Sequence, residues 1–330
     1  MSEVVTLAHG AGGKASRRLV EDLFLDELRN PLLEPLSDAA LLSANGTRIA
    51  LTTDAYVVRP LVFPGGDIGE LAVNGTVNDL AVSGARPLAL TAGFVIEEGF
   101  PLDELRALAH SAARAASDAG VAVAAGDTKV VERGAADGLY VTTAGVGLLD
   151  ARVDLSPSRV RPGDIVLVSG SIAEHGIAVM LARGDLRLEL DVVSDTAPVH
   201  READALCALG RELRWMRDPT RGGLATTLNE LVAACAASVV LRESAIPVRE
   251  DVRAACELLG IDPLYVANEG KLVAVVAPGA ADSALDALGP DAAVIGEVRT
   301  DDVPMVLCET PFGGSRIVDM LVGDPLPRIC

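Results

Sequence analysis

At 330 residues, half of them hydrophobic and only 3% aromatic, the chain is long enough for two ordinary domains with cores of Ala, Val, Leu and Ile. A formal charge of -19 argues against nucleic acid and against anionic membranes. An anionic ligand would need backbone N–H groups, a few Lys or Arg, or a metal ion. No apolar run approaches the ~18 residues of a membrane span. The opening Met1-Ser-Glu-Val-Val-Thr6 lacks the basic and apolar regions of a secretory signal, so a cytoplasmic location is expected.

In chain order, the first feature is a glycine cluster, His9-Gly10-Ala-Gly12-Gly13-Lys14. Leu19, Val20, Leu23, Phe24 and Leu28 then recur at helical spacing, with Ser16 as the expected N-cap. Glycines that open a helix can turn N–H groups toward phosphate, although no Walker A or dinucleotide fingerprint is present. A strand over 48–54 ends on Asp54, a position that suits a metal or polar ligand, or a plain turn. The apolar residues between 71 and 81 predict a helix that tolerates Asn74, Asn78 and Asp79 near one face. Asn and Asp are poor helix-interior residues, so this polar row points to a ligand. A strand over 88–96 and a helix over 103–118 follow, with Gly120 just past the helix end. A buried strand, Val121–Gly126, runs into Asp127-Thr128-Lys129, a second ligand-facing arrangement at a strand end. Another strand covers 139–148.

The proline-punctuated stretch Asp154–Asp164 marks the expected boundary. The chain is therefore divided into a first domain over 1–150, a second over 151–323 and a tail over 324–330. The second domain opens with a strand over 165–170 and then Glu174-His175-Gly176, where His175 reads as a helix-start residue that could contact a ligand. A helix over 200–212 precedes Arg217-Asp-Pro-Thr-Arg221-Gly222-Gly223. Two glycines and two arginines at a helix start suit an anion. Further segments are a strand (238–242), a helix (249–259), Ala267-Asn-Glu269-Gly270, a strand (271–277) and a helix (281–288). The fold class expected is α/β (α+β): two domains, each a mixed sheet packed with helices.

There are five cysteines, without CxxC pairs or zinc spacing, so free thiols are expected. Cys207, Cys235, Cys256 and Cys308 sit in apolar patterns and read as small buried hydrophobes. Cys330 does not. It ends the run Asp324-Pro-Leu-Pro-Arg-Ile-Cys330, whose prolines favour an extended arm. Seven extended residues reach roughly 20–25 Å, enough to carry a thiol between two sites.

Asp38, Thr52-Thr-Asp54, Asn74 with Asn78-Asp79, Gly126-Asp-Thr128 and Asp218-Pro-Thr-Arg-Gly-Gly223 resemble the PurM-like ATP-binding superfamily. That superfamily includes aminoimidazole ribonucleotide synthetase, thiamin-monophosphate kinase and selenophosphate synthetase, which bind Mg-ATP without a P-loop. Within it, His9–Gly13, Phe63–Gly69, Val73–Asp79, Ala125–Val131, Arg217–Gly223, Ala267–Gly270 and Pro327-Arg-Ile-Cys330 resemble the HypE family of hydrogenase maturation proteins, over nearly the whole chain.

The resemblance implies an ATP-dependent dehydration of a carbamoyl group on Cys330 to a thiocyanate, the source of cyanide ligands for [NiFe]-hydrogenase. It implies HypF as carbamoyl donor, the HypC–HypD complex as cyano acceptor, and a homodimer formed through the first domain. The long apolar stretch over 71–95 hints at that dimer. On the same footing, Asp38, Asp54 and Asp79 would hold Mg²⁺, with Asp127 a fourth candidate. Gly10, Gly12, Gly13, Asn74, Asn78, Asp127, Thr128, Arg221, Gly222 and Gly223 would line the nucleotide. Lys129 would hold the γ-phosphate or the carbamoyl oxygen, and Glu269 would take protons from the carbamoyl nitrogen. Two alternatives remain open at this point: a kinase for a small molecule, using the same aspartates, and a scaffold that docks by its tail.

Overall fold

The computed structural model of the chain describes residues 4–10, 12–184, 190–321 and 328–330. Pro325 and Pro327, and with them most of the expected extended arm, lie outside the described residues.

The helices are α1 (Lys14–Leu19), which runs through a π-turn at Val20–Leu25 into α2 (Asp26–Leu28), then α3 (Ile68–Val82), α4 (Leu102–Asp118), α5 (Glu174–Ala182), α6 (His200–Cys207), α7 (Gly223–Cys235), α8 (Glu250–Leu259) and α9 (Ala281–Leu288). The strands are β1 (Ala40–Ala44), β2 (Thr47–Tyr56), β3 (Val62–Phe63), β4 (Gly66–Asp67), β5 (Ala85–Glu97), β6 (Ala122–Val131), β7 (Leu139–Leu149), β8 (Ile165–Val168), β9 (Leu213–Arg217), β10 (Ser238–Arg242), β11 (Val273–Val276), β12 (Ala293–Arg299), β13 (Val306–Glu309) and β14 (Ser315–Ile317).

They build two mixed sheets, in the orders β1-β2-β7-β5-β6 and β14-β13-β10-β12-β8-β11-β9, with β3 and β4 as a separate ribbon. Each sheet has one parallel pair, β5 with β6 and β10 with β13. Helices cover these sheets, as the fold class requires.

Helix α3 joins the two halves. Asp67 caps it, its carboxylate accepting from the N–H of Gly69 at 2.8 Å and of Glu70 at 3.1 Å. The helix is enclosed on all sides, and thirteen of its fifteen residues, Asn74, Thr76 and Asn78 among them, are buried. Leu71, Ala72, Val73 and Val77 pack among first-sheet residues such as Tyr56, Leu90 and Val141, while Ala81 and Val82 pack with Leu206, Leu213 and Met216 of the second half. The apolar run through 71–82 is therefore spent inside the chain and gives no ground for a dimer surface.

Three local expectations change. Ser16 lies inside α1, where its hydroxyl accepts from the Gly12 N–H at 2.9 Å, and Gly13 holds the N-cap position. The helix expected over 200–212 stops at Cys207, and Gly210 turns the chain at φ +57°. Strand β6 is exposed, not buried, over Ala122–Gly126, and it continues past Gly126 to Val131, so Asp127, Thr128 and Lys129 lie within a strand rather than beyond its end.

Candidate active site

The site gathers where α3, the start of β1 and the end of β9 meet. Asp38 precedes β1, Asp79 lies near the end of α3, and Asp218 follows β9. One carboxylate oxygen from each lies within 4.8 Å of the others. Arg217 braces the group, with its guanidinium 2.9 Å from Asp38 and 2.7 Å from Glu230 of α7. The Thr52 hydroxyl sits 2.6 Å from Asp79 Oδ2 and 2.7 Å from the Asp38 carbonyl. Asp54 stands beside the cluster and accepts from the Tyr56 hydroxyl at 3.1 Å.

Burial, followed by the charges of Asp54, Asp218 and Asp38, pushes Asp79 well above the carboxylate range. Burial also raises Asp38 and Asp54, and raises Asp218 to about 8. Carboxylates that are dry and mutually repulsive are costly unless protonated or bridged by a cation. Hard oxygen donors in this arrangement fit Mg²⁺, and Asp38, Asp79 and Asp218 are the residues that would hold it.

A pH dependence follows. Folded Asp218 keeps its proton up to about pH 8, whereas the unfolded chain releases it near 3.8. Across that window the folded state binds more protons, so the stability these groups contribute is fully present below about pH 4 and is lost as pH rises through 8. A bound cation offsets the loss. Thermal unfolding with EDTA and with MgCl₂ checks this: the Mg²⁺-dependent rise in Tm is larger at pH 8 than at pH 5. An equal or absent rise at both pH values would count against a cation at this cluster.

Glu269 is 3% exposed, and its Oε1 has no hydrogen-bond partner among the described residues. Burial first, then Asp218, Asp195 and Asp54, pushes its carboxyl well above the usual range, and Arg221 opposes them. The backbone beneath it is fixed. Asp195 accepts from the N–H of Glu269 at 3.2 Å and of Gly270 at 3.3 Å, and its other neighbour is Lys271 Nζ at 3.1 Å. A Cβ on residue 270 would fall 1.8 Å from the Asp195 carbonyl, so only glycine permits this approach. Asn78 grips the same segment from α3, donating to the carbonyls of Ala197 at 3.0 Å and Glu269 at 3.1 Å and accepting from the Val199 N–H at 2.8 Å.

The glycine cluster closes over Arg221. Arg221 donates to the Gly10 carbonyl at 3.2 Å. Gly12 has φ +77°, and a Cβ there would lie 2.9 Å from Arg221 Cβ. Gly13 starts α1, and Gly222 and Gly223 open α7 beside the same arginine. Ionisation of Cys330 would be the foremost influence raising the Arg221 pKa, ahead of the contributions from Asp54 and Glu269. Ile329 is buried against Tyr56, Val58, Phe63 and Ile177, with Cys330 packed on the edge of that cluster. Cys330 is therefore tucked inward, within electrostatic reach of Arg221.

The chain matches the AIR synthase related N-terminal domain over residues 36–149 and the corresponding C-terminal domain over 161–307. It is 52% identical to "Carbamoyl dehydratase HypE" of Rhizobium leguminosarum bv. viciae over 332 residues, covering 99% of this chain and 95% of that protein. The chain belongs to the HypE family. Among solved structures, HypE in a HypE–HypF complex superposes with a TM-score of 0.88 at 46% identity, covering 92% of this chain and 99% of that one. HypE in complex with ATP superposes with a TM-score of 0.83 at 45% identity, covering 99% and 100%.

In this HypE-family chain the expected site residues fall into three groups. Asp38, Asp54, Asp79, Glu269, Cys330, Arg221 and the glycines at 10, 12, 13, 222 and 223 converge. Asn74 and Asn78 are buried at the junction of the halves. Asn78 has both amide hydrogens engaged with protein carbonyls, so it acts as a bracket rather than a nucleotide contact. Asn74 donates to Thr196 at 3.3 Å, and its Oδ1 is unpaired among the described residues.

Asp127, Thr128 and Lys129 stand apart. β6 is separated from β2 by β7 and β5, about 14 Å of sheet at ~4.8 Å per strand. Asp127 is in register with Gly93, Thr142 and Ala55, on the face opposite Asp54. There it pairs with Lys129 at 3.0 Å, and both are exposed.

Asp218, Tyr56 and Asp195 are part of the site without having been singled out as ligands from sequence, while Arg217, read there as one of two arginines suited to an anion, instead pairs with Asp38 and Glu230. Asp218 follows an apolar strand, the placement expected for Asp54, which in the structure lies within β2; that expected placement was the available signal. Among the described residues, no helix is long and apolar enough to cross a membrane.

Proposed function

We propose that this chain is an ATP-dependent carbamoyl dehydratase acting on its own Cys330, with HypF as carbamoyl donor and the HypC–HypD complex as acceptor of the cyano group. The observation that carries the reading is the packing of Cys330 on the buried cluster around Ile329, within electrostatic reach of Arg221, the arginine that Glu269 also influences. A kinase for a diffusible substrate has no use for a thiol there, and a scaffold has no use for a dry carboxylate cluster.

The chemistry requires an oxygen to leave an amide, and amide oxygen is a poor leaving group. ATP supplies the phosphoryl group that lets it depart as phosphate; the two N–H protons also leave, and the S–C(=O)NH₂ group becomes S–C≡N. Asp38, Asp79 and Asp218, with Asp54 nearby, would hold the Mg²⁺ that screens the triphosphate in this acidic chain. Glu269 takes a proton from the carbamoyl nitrogen, and its buried setting makes the ionised carboxylate a stronger base than one in water. Arg221, Gly10, Gly12 and Gly13 cover the nucleotide and keep water from the activated intermediate. The domain boundary that goes with this reading lies at residue 150, and the nucleotide site draws Asp38, Asp54 and Asp79 from the first domain and Asp218 and Arg221 from the second.

Lys129, Asp127 and Thr128 enter through a homodimer. β6 is an uncapped edge strand, with Val123 and Val130 exposed, and Leu41, Leu51 and Leu88 are exposed on other strands of the same sheet. Such an edge with apolar surface invites a second copy. On this reading Lys129 of one copy serves the site of the other. Val130→Asp is expected to give a monomer by light scattering, still loaded with carbamoyl by HypF but slowed in dehydration. An unchanged dimer would remove this assignment.

The central test is intact-protein mass spectrometry after incubation with HypF, carbamoyl phosphate and ATP, with ATP then added or withheld. The expected result is one carbamoyl on the C-terminal peptide and an ATP-dependent loss of one water. No adduct, with the transferase shown active, favours the kinase reading.

A further inference from the structure

The Glu174-His175-Gly176 start of α5 has no part in the chemistry above, yet His175 is fully buried and touches the segment that ends in Cys330. We propose that His175 is a positioning residue for the reaction: its Nε2–H holds the Ile329 carbonyl and so fixes residues 328–330 in the docked state that presents Cys330 to Arg221. The inference rests on the reading of Cys330 as carbamoyl carrier.

The last three residues lie along Val57–Arg59. The Arg59 N–H donates to the Arg328 carbonyl at 3.2 Å, and the Val57 N–H to the Cys330 carbonyl at 3.3 Å. The carbonyl between them, on Ile329, turns instead to His175 Nε2 at 3.0 Å. Ile329 is 3% exposed, so without the histidine that carbonyl would have no water to turn to. Arg183 holds the Arg328 carbonyl at 2.7 Å, and Asp137 holds the Arg328 guanidinium at 2.6 Å. Those restraints act on Arg328, whereas His175 acts on the residue joined to Cys330.

The tautomer follows from the partners. A carbonyl only accepts, so Nε2 must carry the proton. Burial pushes the imidazole pKa down, so the ring is neutral and Nδ1 offers a lone pair. The Ser194 hydroxyl, 2.8 Å from Nδ1, therefore donates to it. This agrees with the Ser194 oxygen accepting from the Thr196 N–H at 3.1 Å. Ser194 is itself tied by its own N–H to the Pro64 carbonyl at 2.8 Å. Phe63 meets the ring edge-on, with centroids 5.4 Å apart. The ring is thus oriented by groups that do not belong to the tail, and its one outward-facing donor is satisfied by Ile329. Leaving that donor bare in a dry site is unfavourable, so the histidine biases residues 328–330 toward the docked state.

The test uses the full chain and two substitutions. In His175→Gln the side-chain amide nitrogen reaches the place of Nε2. In His175→Asn it reaches only the place of Nδ1 and can meet Ser194 but not Ile329. His175→Asn is expected to raise the rate of Cys330 alkylation by iodoacetamide roughly 10- to 100-fold, the effect of one lost buried hydrogen bond. It is expected to slow single-turnover loss of water from carbamoyl-Cys330 by a similar factor, with carbamoyl loading by HypF retained. His175→Gln stays within about threefold of the parent chain in both, well inside one such bond. Alkylation of His175→Asn at the parent rate, or equal defects in the two variants, overturns the proposal. A fold defect in either variant leaves a measurement on the unaltered chain: ¹⁵N spectra of the imidazole, where a proton on Nε2 is expected and a proton on Nδ1 alone overturns it. A parent chain that shows no ATP-dependent loss of water would sink the dehydratase reading, while alkylation and tautomer still report on the latch.

Discussion

Glu269→Gln is expected to accept the carbamoyl group on Cys330 and then to stall, with ATP-dependent loss of water slowed by about 10²–10⁴-fold, the usual worth of a general base. Glutamine keeps the shape and the backbone contacts to Asp195 and Asn78, so the arrangement around it persists. What disappears is the proton acceptor. In the unaltered chain the dehydration rate rises with pH as Glu269 ionises, through a pKa well above the ordinary 4.5 because burial and the charges of Asp218, Asp195 and Asp54 all disfavour the carboxylate. The glutamine variant lacks that rise. Its stability is unchanged or higher, since a dry carboxylate has been replaced by a neutral group. A time course of the carbamoyl adduct by mass spectrometry checks all of this. Loss of water at the parent rate would take the base role away from Glu269.

Cys330→Ala is expected to abolish carbamoyl acceptance entirely while leaving the fold and ATP binding as they were. No other thiol can replace it. Burial pushes Cys207 up to about 12 and Cys256 and Cys308 up to about 11, and it raises Cys235 as well, so these sulfurs stay protonated and poorly nucleophilic. The alanine variant keeps Ile329 as the anchor of the last three residues, so the Tm and nucleotide affinity report an intact molecule. Carbamoyl incorporated at any other residue of this variant would show that Cys330 is not the carrier.

Much of the fold could be read from residue pattern because its decisive elements follow their periods. The alanine-rich amphipathic helix was expected over 103–118 and runs Leu102–Asp118, and the strand over 238–242 keeps those bounds. The strand through Asp127-Thr128-Lys129 escaped because an edge strand with both faces toward solvent has no apolar alternation to mark it. The 71–82 part of the apolar stretch over 71–95 was ambiguous in the opposite way. A helix enclosed on all sides looks the same in sequence as a sticky surface. Of the site, Asp54 and Asp79 were visible as acids in poor places for acids, and Asp38 only through the family resemblance. Asp218 was not, since an Asp-Pro at a strand end is also common turn chemistry. The part played by Asn78 depends on where residues 197–199 and 269 return in space, and no local pattern encodes that.

The grip of Asn78 on Glu269 sets a manufacturing tolerance for the enzyme. Asp79 and Glu269 stand 190 residues apart in the chain, on different halves, and their separation would ordinarily accumulate every error between two sheets. Asn78 removes that accumulation. The amide that holds the Glu269 carbonyl and the carboxylate at Asp79 belong to neighbouring residues of one helix, with Cα atoms about 3.8 Å apart. The base is thus gauged directly from the helix that carries the metal-binding acid. If the two halves rock against each other during a cycle, Glu269 travels with Asp79, and the spacing on which a factor of about a hundred in rate can turn per ångström is preserved.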